Sequence, residues 1–210
     1  MKLIEVLRLD TAHPTLLLLD AGTDAARMCD AKGLCNLRLA DASIVVKDTA
    51  KALSYNHGKC LVHADIKPAN LVWNPVQKKA TVIDFELAAY HGQPHGYGGT
   101  PFYLAPEIAS DKQYRQESDV WALGICALFV FRYTPLPDKQ PHWNIARGLL
   151  IRGEGQYFLK RWLGEVEKIL NRVPIRGHGK SICAMLDFST HSRITAAELA
   201  TTGVRRLLPA

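Results

Sequence analysis

Twelve consecutive residues, Val120 to Phe131 (VWALGICALFVF), carry no charged side chain. A helix that crosses a bilayer needs about 20 such residues, so this run is too short to span a membrane. A helix that is apolar on every side belongs in a protein interior. The segment therefore reads as a buried core helix, with Ser118 or Asp119 as its N-cap, and the rest of the chain has to fold around it. At 210 residues and 48% apolar content the chain is long enough for one well-packed domain. The 22% charged residues exclude a disordered polyelectrolyte.

The formal net charge is +6, from 26 Lys and Arg against 20 Asp and Glu. The basic residues are spread along the chain, and Lys78-Lys79 and Arg205-Arg206 are only pairs. That pattern describes a solvated basic face, and neither a nucleic-acid nor a membrane partner is expected. The five cysteines are odd in number and none has CxxC spacing, so a reduced intracellular compartment is the simpler account. The N-terminus shows no basic segment leading into an uninterrupted apolar stretch, so no signal peptide is expected.

Residues 3–9 and 15–19 are strand-like runs separated by turn residues at 10–14, which suggests a hairpin; a short helix is the alternative for the first run. A helix is expected from Asp41, with Asp41 or Ser43 as cap. Val45, Val46, Thr49, Ala52, Leu53 and Asn56 lie on one face, and Gly58 is the stop. Short strands follow at 60–62, 71–73 and 81–83, then a Gly- and His-rich loop over 90–100. Beyond it the chain is helical. Phe158, Trp162, Leu163, Val166, Ile169 and Leu170 make an amphipathic stripe, and Thr195 to Glu198 has the capping-box form. Trp121, Trp143 and Trp162 read as packing residues.

The chemistry concentrates at Leu61 to Trp73 (LVHADIKPANLVW), where Asp65, Lys67 and Asn70 sit at fixed offsets on a loop between two apolar strands. Phosphoryl transfer to a hydroxyl needs a carboxylate to orient the hydroxyl and accept its proton. It also needs a cation near the moving phosphate and an oxygen ligand for a metal. Asp84, in VIDFEL at the end of the next apolar strand, is placed to supply a second Mg²⁺ ligand. His63 reads as a core histidine.

These residues resemble the eukaryotic-type serine/threonine protein kinases, from the last hairpin of the N-terminal lobe through the hinge and the C-terminal lobe. His63-Ala64-Asp65 is similar to HRD, Asp65 through Asn70 to the DxKPxN catalytic loop, and Asp84-Phe85-Glu86 to DFG. Gly99 to Glu107 (GTPFYLAPE) resembles the substrate-binding end of the activation segment, and Ser118 to Gly124 the start of the central helix. Arg193 resembles the arginine that pairs with the glutamate of APE, here Glu107. The resemblance implies an α+β fold: a remnant N-lobe hairpin and hinge over 1–22 and a mainly helical C-terminal lobe over 23–205. It implies ATP and Mg²⁺ as cofactors and a protein Ser/Thr substrate. Asp65 becomes the base, Lys67 the γ-phosphate contact, and Asn70 and Asp84 the Mg²⁺ ligands. Thr100 bridges Asp65 and Lys67, Leu19, Asp20, Ala21 and Gly22 line the adenine pocket as gatekeeper and hinge, and Leu71 and Val72 form its floor.

The sequence departs from that pattern in three places. No GxGxxG occurs in the chain, and nothing before the hairpin supplies the lysine that clamps the ATP phosphates. Even if residues 3–9 were instead the end of a helix carrying its glutamate as Glu5, that lysine would be missing. The expectation is an N-terminally incomplete kinase domain with turnover lowered by orders of magnitude, the missing part lying either upstream of an artificial start or on a partner chain that completes the N-lobe. Glu86 replaces the DFG glycine, which costs about 1 kcal/mol if that backbone position needs positive φ. Ala64 replaces the HRD arginine, removing the usual partner of an activation-loop phosphate. The alternative function is a pseudokinase acting as a binding module. A small-molecule phosphotransferase is disfavoured by the GTPFYLAPE and SDVWALG strings. Phosphomimetic Asp or Glu placed within residues 90–100 is expected to leave phosphotransfer unchanged; a strong rise in a peptide-phosphorylation assay would contradict this.

Overall fold

The computed structural model describes residues 3–7, 15–18, 21–94, 99–109, 113–139 and 154–202. In chain order these form strands β1 (Leu3–Leu7), β2 (Thr15–Leu18) and β3 (Thr23–Asp24), helix α1 (Leu39–His57), then β4 (Leu61–Val62), β5 (Leu71–Asn74), β6 (Lys79–Val82) and β7 (Ala89–Tyr90). Helices α2 (Gln116–Val130), α3 (Glu154–Leu170), α4 (His178–Met185) and α5 (Ala196–Thr202) follow. The first run is a strand, not a helix: β1 and β2 pair antiparallel with Leu7 opposite Thr15. The strands make three small antiparallel sheets, β1-β2, β3-β5-β6 and β4-β7. This is the expected α+β arrangement. Trp143, Leu19 and Asp20 lie outside the described residues.

The core is built on α2, in which every residue from Asp119 to Val130 is buried. α1 and α4 pack against it, and α5 packs on α1. The α1 face is the one its periodicity predicts: Val45, Val46, Thr49, Leu53 and Asn56 are all buried. On α3, Trp162 and Val166 are buried. The Trp162 indole N–H donates to the Phe102 carbonyl at 2.8 Å, tying α3 to the 3₁₀ turn Pro101–Tyr103. The capping box also forms. The Thr195 amide donates to Glu198 Oε2 at 2.9 Å, and the Glu198 amide donates back to Thr195 Oγ1 at 3.2 Å.

Two helix starts differ from expectation. α1 begins at Leu39 and α2 at Gln116, with Arg38 and Arg115 in the cap positions and no side-chain cap bond at either. Asp41 and Asp119 lie inside the first turns instead, where a carboxylate still favours the positive end of the helix dipole. Their oxygens go to other donors: Asp41 accepts from Nε of the cap residue Arg38 at 2.9 Å and from the distant Lys78 Nζ at 3.2 Å. Ser118 donates to Glu107 rather than capping.

Gly124 marks the closest approach of α2 to the segment after α4. A Cβ there would lie 2.7 Å from Leu186 Cγ and 3.0 Å from Met185 Cβ, both in buried residues. Gly124→Val is expected to lower stability by about 2 kcal/mol through overpacking, read as a lower urea midpoint with unchanged slope.

Candidate active site

The loop between β4 and β5 is held from beneath by Asp119. This carboxylate, 1% exposed, accepts from the His63 amide at 2.8 Å (Oδ2) and the Ala64 amide at 2.9 Å (Oδ1). His57 Nε2, at the end of α1, lies 3.0 Å from Oδ2. A buried carboxylate without donors is strongly unfavourable; here both oxygens are engaged. The clamp fixes the chain where Ala64 adopts φ 66°, a left-handed conformation that a residue with a Cβ seldom takes. His63 is fully buried, and its Nε2 lies 3.1 Å from the Ile83 carbonyl.

Above this base, three side chains close a ring of hydrogen bonds, and a fourth, Asn70, is tied to it. Lys67 Nζ donates to Asp65 Oδ2 at 2.7 Å and to Thr100 Oγ1 at 3.1 Å, and Thr100 Oγ1 donates to Asp65 Oδ1 at 2.7 Å. Asn70 Nδ2 donates to the Asp65 carbonyl at 2.8 Å and lies 3.4 Å from its Oδ2. Thr100 reaches the loop from 35 residues along the chain because Gly99 packs against it. Gly99 has φ 97°, and a Cβ there would be 3.0 Å from the Ala64 carbonyl oxygen. The expected bridge of Thr100 between Asp65 and Lys67 is thus present as geometry.

Asp84 stands apart from the ring. It is exposed and projects from the end of β6, and the preceding Ile83 amide donates to the Asn70 carbonyl at 3.0 Å. The left-handed residue of this turn is Asp84, φ 65°, while Glu86 lies outside the positive-φ residues. The conditional cost of Glu86 in place of glycine therefore does not apply here; the strain falls on Asp84, a residue type that tolerates the conformation better than most. The Asp84 carboxylate and the Asn70 Oδ1, left open because Nδ2 is the donor, are hard oxygen groups of the kind Mg²⁺ takes alongside phosphates and water. Phe85 is 43% exposed, with its ring centroid 4.6 Å from that of His63.

Of the residues expected to line an adenine pocket, Leu71 and Val72 are buried on β5. Val72 pairs with Asp24 of β3, just past Ala21 and Gly22. Gly22 has φ 122°, and a Cβ there would run into the Trp73 carbonyl. On the opposite side, Arg193, with a fully buried side chain, grips Glu107 with two bonds, Nη1 to Oε1 at 2.7 Å and Nη2 to Oε2 at 3.0 Å.

One group escaped the sequence reading. Tyr103 Oη donates to Asp138 Oδ2 at 3.3 Å. Desolvation holds the Asp138 carboxyl above its ordinary range, against the opposing pull of the Tyr103 hydroxyl and the charge of Lys67. Burial pushes the Tyr103 phenol well up. Asp138 belongs to no motif and follows a Pro-Leu-Pro loop, so composition offered only the loop itself as a signal.

The protein kinase domain family matches residues 11–203, nearly the whole chain. The serine/threonine-protein kinase DCLK3 of Homo sapiens is 39% identical over 115 residues, 50% of this chain and 18% of that protein. Calcium/calmodulin-dependent protein kinase type II of Caenorhabditis elegans is 35% identical over 109 residues, 49% and 15% respectively. The type II alpha chain of Drosophila melanogaster is 30% identical over 169 residues, 76% and 29%. The chain thus spans well under half the length of these relatives. It belongs to the protein kinase family.

Asp119→Asn keeps the shape of the side chain but replaces one acceptor oxygen with a donor that faces backbone N–H. A loss of about 3 kcal/mol is expected, seen as a lower Tm and as faster hydrogen exchange at the His63 and Ala64 amides than at those of α5.

Proposed function

We propose that this chain carries the acceptor side of a serine/threonine protein kinase that transfers the γ-phosphoryl of ATP to a protein hydroxyl. The supporting observation is the closed hydrogen-bond ring of Asp65, Lys67 and Thr100, with Asn70 bonded to the Asp65 carbonyl. In this reading residues 1–22 contribute the hairpin and hinge, and residues 23–205 the C-terminal lobe. Asp65 orients the acceptor hydroxyl and takes its proton. Lys67, already tied to Asp65, presents its cation to the phosphoryl oxygens. Thr100 holds the two in register and, by filling the space beside Asp65, favours short Ser and Thr side chains over Tyr. Asn70 and Asp84 hold Mg²⁺, whose charge offsets that developing on the phosphate oxygens. Leu71 and Val72, with Ala21, Gly22 and the undescribed Leu19 and Asp20, receive the adenine.

A second reading, a pseudokinase that binds partners through its helical lobe, is favoured by Glu86 and Ala64, which stand where the DFG glycine and the HRD arginine of the family would be. Mg-ATP is expected to raise the Tm of the protein, with the Mg²⁺-dependent part lost in Asp84→Asn. Phosphate transfer to Ser/Thr peptides is expected to fall roughly 100- to 10,000-fold in Asp65→Asn. No thermal shift at millimolar Mg-ATP selects the pseudokinase.

A further inference from the structure

Away from the cleft, the segment joining β3 to α1 places two cysteines opposite each other in backbone register, with the Cys29 thiol donating to the Ala26 carbonyl at 3.5 Å. The Asp30 amide donates to the Leu34 carbonyl at 2.9 Å, and the Asn36 amide donates to the Met28 carbonyl at 3.0 Å. These bonds flank Cys29 and Cys35, which lie directly opposite each other in antiparallel register. Flanking bonds of this kind define the non-hydrogen-bonded position of a ladder. There the facing Cα atoms are about 4.5 Å apart and the side chains share one face at close approach. A disulfide spans Cα separations of roughly 4.4–6.8 Å, so the backbone needs little movement to bridge them.

The register is pinned from within and from outside. Asp30 Oδ1 accepts from the Lys32 amide at 2.9 Å and the Leu34 amide at 3.0 Å. The Gly33 amide donates to the Asp30 carbonyl at 2.9 Å, and Gly33 itself takes φ 76°. The Leu136 amide, in the loop after α2, donates to the Gly33 carbonyl at 2.9 Å. Arg132 Nη2 lies 3.5 Å from Asp30 Oδ2. A one-residue slip would break all of these.

We infer that Cys29 and Cys35 are a modification site, forming an intrachain disulfide when the protein meets a peroxide. Cys29 is half-buried and Cys35 fully buried, so the oxidant enters at Cys29. The Cys29 thiolate attacks one peroxide oxygen, the O–O bond breaks, and the departing hydroxide is protonated to water. The resulting sulfenic acid is then attacked by the Cys35 sulfur. The S–S bond forms, the S–O bond breaks, and the leaving hydroxide takes the Cys35 proton as a second water. Two thiols lose two electrons in all and one peroxide gains them. Burial pushes the Cys35 thiol above its ordinary pKa, which suits it to the second step rather than the first. The bridge closes a ring on the stretch connecting the hinge-side strand β3 to the helical body.

This inference is independent of phosphoryl transfer, and its test is chemical. The intact protein is exposed to hydrogen peroxide, denatured, and its thiols are counted with a maleimide before peptide mapping. The count is expected to fall from five thiols to three per chain. The Cys29 and Cys35 peptides should be joined, and dithiothreitol should restore all thiols. Cys29→Ser and Cys35→Ala, each checked for native circular dichroism, should form no such bridge, while Cys60→Ser should form it as the parent does. The oxidised parent should also melt several degrees higher than the reduced one. Oxidation confined to the exposed Cys60, with Cys29 and Cys35 both still alkylated, overturns the inference. So does a bridge that persists in Cys29→Ser.

Discussion

Everything in the cleft rests on one buried carboxylate. Asp119 opens the most apolar helix of the protein, where an unpaired charge is least tolerable. It is stable there because two backbone amides of the catalytic loop and a histidine at the end of α1 converge on it. The dependence runs both ways. The loop keeps Ala64 in a left-handed conformation because Asp119 captures the His63 and Ala64 amides that lead into that turn, and these amides in turn satisfy the Asp119 oxygens. The core helix and the reactive loop are thus two faces of one interaction, and neither is set without the other.

From that anchor the site divides into a rigid and an open part. Asp65, Lys67, Thr100 and Asn70 hold one another through short bonds and need no ligand to find their places. Asp84, Phe85 and Glu86 are exposed, with little around them beyond the His63 ring. The Asp65 side of the cleft is therefore organised in advance, whereas Asp84 sits exposed on a turn placed by the Ile83–Asn70 hydrogen bond.

Much of this was legible in the sequence because it depends on chemistry with few solutions. A bidentate guanidinium–carboxylate pair, a Thr-x-x-Glu box and a carboxylate–lysine–asparagine loop leave little freedom in geometry, and Arg193, Thr195 and Asp65 lie where their residue types imply. The misreadings share one cause. Asp41 and Asp119 have cap chemistry, but as caps they yield to other donors, Lys78 for Asp41 and, for Asp119, the loop backbone that it was also expected to support. Likewise, the left-handed turn residue is Asp84 rather than Glu86, since it is the hydrogen bonding of Ile83 to Asn70 that fixes where the chain must turn. The Cys29–Cys35 juxtaposition was invisible because their spacing matches no motif; only the register of a hairpin sets them opposite.

The Arg193–Glu107 pair has a consequence for how the molecule is made. Its partners are separated by 86 residues, and closing so long a span costs chain entropy that must be recovered by later contacts. On a ribosome, the catalytic loop and α2 emerge and can associate well before Arg193 has been synthesised. The segment around Glu107 is therefore the last part of this lobe to be secured. A nascent chain would hold Asp65 on its clamped loop while Glu107 still waited for its guanidinium partner.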